Sequence, residues 1–152
     1  MPRLSTEQRV NRWHTAVHEA GHVLAAVKVG FSLISARIDK KDFSDGTTVY
    51  FYDNDSWGTA LLRIIMIFAG HLAAKQLDPR NIFDGENYRD EEILKKICKR
   101  HHILPEEQLA MQKIAKALVK RNLSTIKKLA IKLNKKGKLK DKKIRRLCKS
   151  PF

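Results

Sequence analysis

Thr15-Ala16-Val17-His18-Glu19-Ala20-Gly21-His22-Val23-Leu24-Ala25-Ala26 is the stretch on which the reading of this 152-residue chain turns. Upstream, Ser5-Thr6-Glu7-Gln8 has the hydroxyl, acid and amide of a helix start. Val10, Trp13, Val17, Leu24 and Val27 then recur at helical spacing, and Gly30 offers a stop. The pattern predicts a helix over residues 6–29. Residues four apart on a helix share a face, so His18 and His22 aim their imidazoles at one spot. His18-Glu19-Ala20-Gly21-His22 fits HExxH, and such a pair can hold Zn²⁺ at about 2.0–2.1 Å. Glu19, beside the first histidine, is placed to take a proton from a water that the metal acidifies. That chemistry is peptide-bond hydrolysis with no covalent enzyme intermediate. Ala20 and Gly21 leave room for another element to pack closely. A catalytic zinc takes three protein ligands and keeps one position open, so one ligand must come from elsewhere. On spacing alone the candidates are Asp84, Glu86, Asp90, Glu91, Glu92, His71, His101 and His102. His71 reads more simply as a core histidine, and His101 and His102, after a basic run, as surface.

Outward from the motif, Ile34 to Ile38 alternates as a strand, Asp45-Gly46 marks a turn, and Thr47 to Tyr52 is a β-branched and aromatic strand. The two predict a hairpin, which either offers an edge to an extended substrate or covers the core. Asp53 to Ser56 ends the second strand and caps a helix over Trp57 to Leu77, stopped by Asp78-Pro79. It is apolar on most faces and is expected to be the central buried helix. Residues 80–89 read as a loop. Asp90 opens a helix to about Arg100, with acids suited to its dipole. Pro105 opens another, ending near Asn122. Ser124 caps a third through Leu133, closed by Gly137, and Asp141 starts a short last helix to Cys148. The expected fold is α+β and mainly helical: a core over 1–104 with a small hairpin, and a basic helical part of the same domain over 105–152.

Composition narrows the classes. With 43% hydrophobic residues the chain can bury a core. Cys98 and Cys148 form no CxxC, which predicts a reducing, cytoplasmic setting rather than a disulfide scaffold. The N-terminus has no apolar signal core, and the apolar run from Leu61 to Ala74, broken by Arg63 and His71, is expected to be too short to span a bilayer. The charge is uneven. Residues 1–90 carry 11 basic and 11 acidic side chains, while 91–152 carry 20 and 5, so the whole net charge of +15 lies in the second part. Such a part can face nucleic acid, an anionic membrane or an acidic protein, or can simply be solvated. Trp and Tyr are absent after Tyr88 and Phe152 is the sole Phe there, so nucleic acid would be held by phosphate contacts, weakly and without sequence preference.

The segment from Thr15 to Ala26 resembles the zinc-binding helix of the FtsH-type metallopeptidase domain. Ile67-Phe68-Ala69-Gly70-His71-Leu72-Ala73-Ala74 is similar to that family's apolar helix with its Ala-Gly step. Asp90, followed by Leu94, Ile97 and Cys98, resembles its Asp-bearing helix. Ile126 to Leu133, Gly137-Lys138-Leu139 and Ile144 resemble its closing helices. The resemblance implies zinc ligands at His18, His22 and Asp90, with Glu19 as the base. The residues around Asp90 depart from the family pattern, with Gly85-Glu86-Asn87-Tyr88-Arg89 before it and Glu91 after it, which keeps Asp84 as the alternative. Family members carry an ATPase module ahead of the peptidase. Here none of the seven glycines begins a GxxxxGK[ST] loop. The expectation is a metallopeptidase acting on flexible or unfolded polypeptide, alone or with a separate ATPase partner. The other class of reading is a regulatory module that keeps this fold and binds through its basic half.

Overall fold

Helix α1 (Thr6–Lys28) begins with a reciprocal cap. Gln8 N–H donates to Ser5 Oγ at 3.1 Å, and Ser5 N–H donates to Gln8 Oε1 at 2.9 Å. It ends in a Schellman-type turn at Gly30, whose φ of +90° suits a residue without Cβ: Phe31 N–H reaches Ala26 O and Gly30 N–H reaches Val27 O. The computed structural model describes residues 3–79 and 85–149, with the side chains of the third helix from Tyr88 onward.

Among the described residues the chain forms six helices and a three-stranded sheet: β1 (Ser32–Ile38), β2 (Gly46–Phe51), α2 (Trp57–Leu77), α3 (Gly85–His101), α4 (Pro105–Arg121), α5 (Leu123–Lys136), β3 (Lys138–Leu139) and α6 (Asp141–Lys149). The mainly helical α+β class is as expected. The sheet is antiparallel, in the order β2-β1-β3, which leaves one side of β2 unpaired among the described residues.

The central helix is α1, not α2. Every residue of α1 from His14 to Ala26 is buried, whereas α2 buries one face, including Ala60, Ile64, Ala69, Gly70 and Ala73. Hydropathy pointed to α2 because α1 carries histidines and a glutamate, yet it is α1 that α2, α5 and the sheet enclose. The whole of α2, at 21 residues with a mean hydropathy of 1.5 over its most apolar window, is long and apolar enough to cross a membrane by length and composition, which the shorter run had hidden. Half of that window is buried in this fold. The two helices approach closely at Gly21, where a Cβ would lie 2.5 Å from Ala69 O and 2.7 Å from Ala73 Cβ.

Other boundaries also differ. Helix α3 starts at Gly85, inside the expected loop, so Asp90 sits in its second turn rather than at its start. Only Asn122 separates α4 from α5, so α5 begins before Ser124, and Asn122 turns its amide back to Leu118 O at 2.9 Å. Strand β3 is too short to show in a periodicity. Ile126, Leu129, Leu133, Leu139 and Ile144, all from the basic part, join the same hydrophobic cluster as Val17, Leu24, Ile34 and Ile64.

One polar tie locks α6 to the sheet. The β1–β2 register slips between Ser32 and Ser35, which leaves the buried Ile34 N–H without a ladder partner. Asp141 Oδ1 accepts it at 2.9 Å, and Arg145 Nε donates to the same carboxylate. The Ile34 N–H above all holds the Asp141 carboxyl below its ordinary pKa of 3.8; burial opposes it, and Arg145 adds to the lowering. Asp141→Ala therefore leaves a buried donor unmatched and lowers stability by about 1–3 kcal/mol in urea melts at neutral pH. A carboxyl depressed on folding stabilises above its unfolded pKa and loses that contribution as pH falls through the folded one. The gap between wild type and Asp141→Ala accordingly narrows below about pH 4, where the free carboxyl protonates. An unchanged urea midpoint at neutral pH contradicts the tie.

Candidate metal centre

Three of the expected residues come from adjacent turns of α1. His18, Glu19 and His22 are all buried, and their ligand atoms lie within 4.8 Å of one another. The fourth, Asp90, comes from α3, 72 residues from His18 in sequence. Its Oδ2 lies 2.7 Å from His18 Nε2 and 3.0 Å from His22 Nε2. Two imidazole nitrogens and one carboxylate oxygen thus converge on a single point at the wall of a cleft of about 130 Å³, which Glu19, Thr48, Met66 and Arg89 also line.

The proton positions decide what this point suits. His22 Nδ1 lies 2.8 Å from the Met66 carbonyl oxygen, an atom that only accepts. His22 Nδ1 therefore carries the proton, and in the neutral ring Nε2 presents a lone pair to the Asp90 carboxylate, which is also an acceptor. A cation between them satisfies both, and a carbonyl holding the far nitrogen of a ligating histidine is the usual outer support of such a site. The electrostatics agree. Burial pushes His22 towards the neutral form, but the Asp90 charge and hydrogen bond outweigh it and raise the histidine pKa above 6.5. Burial likewise pushes Asp90 up, but the His22 charge and the hydrogen bonds from His18 and His22 hold its carboxyl well below the ordinary range. The pocket favours positive charge at this point: a second proton on His22, donated from Nε2 to Asp90, meets that preference, and a divalent zinc in its place would take the same His₂Asp donor set with an open position.

Several supports were not visible in the sequence. Gly70 of α2 lies under the His22 ring: a Cβ there would meet His22 Cε1 and lie 2.6 Å from Nε2. Thr48 of β2 donates its hydroxyl to Glu19 Oε2 at 2.5 Å. Arg89, next to Asp90, pairs with Asp45 on the hairpin at 2.7 Å, tying α3 to the β1–β2 loop. His14, one turn before His18 on the same helix row, is not turned to the site; its Nδ1 meets Asp78 Oδ2 at 2.8 Å.

The remaining sequence candidates are placed as follows. His71 is half-buried and lines a second cleft with Ile67, Phe68 and Leu72 on the other side of Asp90, and Glu91 lines it too. Glu92 is exposed and lies 3.5 Å from Lys95 Nζ. His101 pairs with Asp55 at 2.9 Å, and His102 is exposed. Asp84 lies outside the described residues, as does the Glu86 side chain. Neither a scan of protein-family models nor a search of the curated proteins finds a match to this chain.

Proposed function

We propose that the chain is a zinc-dependent metallopeptidase of the FtsH-like type, hydrolysing peptide bonds of flexible or unfolded polypeptides. The observation that carries this reading is the convergence of His18 Nε2, His22 Nε2 and Asp90 Oδ2, with Glu19 beside them in the same cleft. Zinc held by these three residues supplies Lewis acidity, bringing the pKa of a water towards about 7 and polarising a carbonyl. Glu19 moves the proton. The Thr48 hydroxyl occupies Oε2, so Oε1 is the atom left to take a proton from the attacking water. Glu19 then holds that proton until the departing amide nitrogen takes it, acting as base and then as acid.

The hairpin supplies a place for the substrate. Gly46, Thr47 and Thr48 line the cleft, and β2 has an unpaired edge. An extended polypeptide added along that edge is held by backbone hydrogen bonds, which are indifferent to sequence, and lies beside Glu19. Folded proteins do not offer such a segment, so cleavage is confined to unfolded chains or to chains that a separate ATPase opens.

Unfolded casein tests this reading. The zinc-loaded protein cleaves it, a chelator stops the cleavage, and added zinc restores it. Cleavage that persists in chelator, or its absence with zinc bound, contradicts the proposal.

A further inference from the structure

We propose that the solvent-facing side of the sheet docks on an anionic lipid surface. The register sets which side chains share that side. Ala36 and Leu139 form a buried pair, with Ile38 and Ile34 also turned inward. The alternate positions turn outward. Ser35 pairs with Val49, and Ser32 pairs with Phe51 across the bulge. Leu33 is the extra residue there, with φ +51°, a conformation a leucine adopts at a cost. Leu33, Val49 and Phe51 are 69%, 55% and 52% exposed, whereas the inward Ile34, Ala36, Ile38 and Leu139 join the hydrophobic cluster to which α1, α5 and α6 contribute. Three large apolar side chains thus stand in solvent at one end of an uncovered face, one of them on a strained backbone.

The other end of the same face is basic. Arg37 pairs with Lys138 on β3 and with Thr47 on β2, so Arg37 and Lys138 stand side by side, and both are exposed. The tie between Asp141 and Ile34 brings the exposed Lys140 and Lys142 next to the bulge that carries Leu33. Among the described residues Arg37, Lys138, Lys140 and Lys142 form no ion pair. Apolar side chains that insert, rimmed by cations that meet anionic headgroups, are what interfacial lipid binding needs.

Charge and residue type choose among occupants. A second copy would set +15 against +15. A single-stranded nucleic-acid platform needs aromatic rings to stack on bases, and here Phe51 is joined by Leu33 and Val49, which partition into acyl chains instead. Thr48, on the opposite side of the sheet, faces Glu19, so docking leaves the cleft uncovered.

The test uses the full chain in flotation with vesicles of phosphatidylcholine alone or mixed with phosphatidylserine, at physiological salt. The wild type floats with the mixed vesicles and not with the neutral ones. Leu33→Asn and Phe51→Ser each weaken partition about tenfold, from the apolar area withdrawn. Leu33→Asn also keeps the fold, because asparagine accepts a positive φ, so its circular dichroism matches the wild type. Arg37→Glu with Lys138→Glu weakens partition about fivefold per position or more. Wild-type binding by both Leu33→Asn and Phe51→Ser overturns the proposal, since the lysines would then act without this face. So does failure to float with phosphatidylserine vesicles. Tighter binding of a single-stranded oligonucleotide, lost in Phe51→Ser, overturns it in favour of nucleic acid.

Discussion

Glu19→Gln binds zinc with wild-type affinity and cleaves unfolded casein at least about a hundredfold more slowly, the lower end of what a positioned general base contributes. The amide keeps the size of the carboxylate and can still accept the Thr48 hydroxyl through its oxygen, so the cleft keeps its shape. The proposed ligand atoms, on His18, His22 and Asp90, are untouched. Only the ability to take and return a proton at Oε1 is lost. Zinc affinity and peptide turnover measured on the same preparation separate the two effects. Retained turnover removes Glu19 as the base, and lost zinc would mean that the carboxylate itself binds the metal.

Gly70→Ala, a change of one methyl group outside the ligand set, has the second large effect. The new Cβ would lie 2.6 Å from His22 Nε2 and 2.8 Å from Nδ1, well inside contact distance. The imidazole has little freedom to yield. Its Nδ1 is held by the Met66 carbonyl, one turn before Gly70 on the same helix, and its Nε2 faces Asp90. Nor can the helices separate cheaply, because Gly21 and Ala69 already seat α1 on α2. Overpacking of this kind costs about 1–3 kcal/mol in stability. Displacing the ring or its outer support lowers zinc affinity by at least about 10- to 100-fold. A zinc titration and a urea melt check both, and wild-type values in the two would show that His22 does not depend on the Gly70 seat.

Local rules carried much of this structure into the sequence. HExxH named three of the converging residues because one helix sets their spacing, and Ser5, Gly30, Pro105 and Gly137 bounded helices through their own backbone chemistry. What escaped was non-local. The Met66 carbonyl, Thr48 and Gly70 reach the site from 44, 29 and 48 positions away from the residues they support, and no spacing rule ties them to it. The Ala69-Gly70 step was visible as a small-residue pair, but its use, a seat for an imidazole, depends on how α1 crosses α2. The central position of α1 was missed for a related reason: its buried face carries the chemistry and so reads as polar. The start of α3 was misplaced because Gly85 and Asn87 are poor helix residues, overridden here by the helix that follows. Spacing left Asp90 as one of eight candidates, and a family likeness alone singled it out, since nothing local to it records the histidines of α1.

His18, His22 and Asp90 are proposed to form one zinc site. Zinc content per chain, measured on the purified protein after zinc loading and dialysis, tests it most directly, with Asp90→Ala beside it. The expected result is about one zinc per wild-type chain, tightly held, and a strong loss of zinc in Asp90→Ala, because two histidines alone leave a site short of its third ligand. A wild-type chain that retains no zinc, or an Asp90→Ala chain that retains it fully, would contradict a zinc site shared by these three residues.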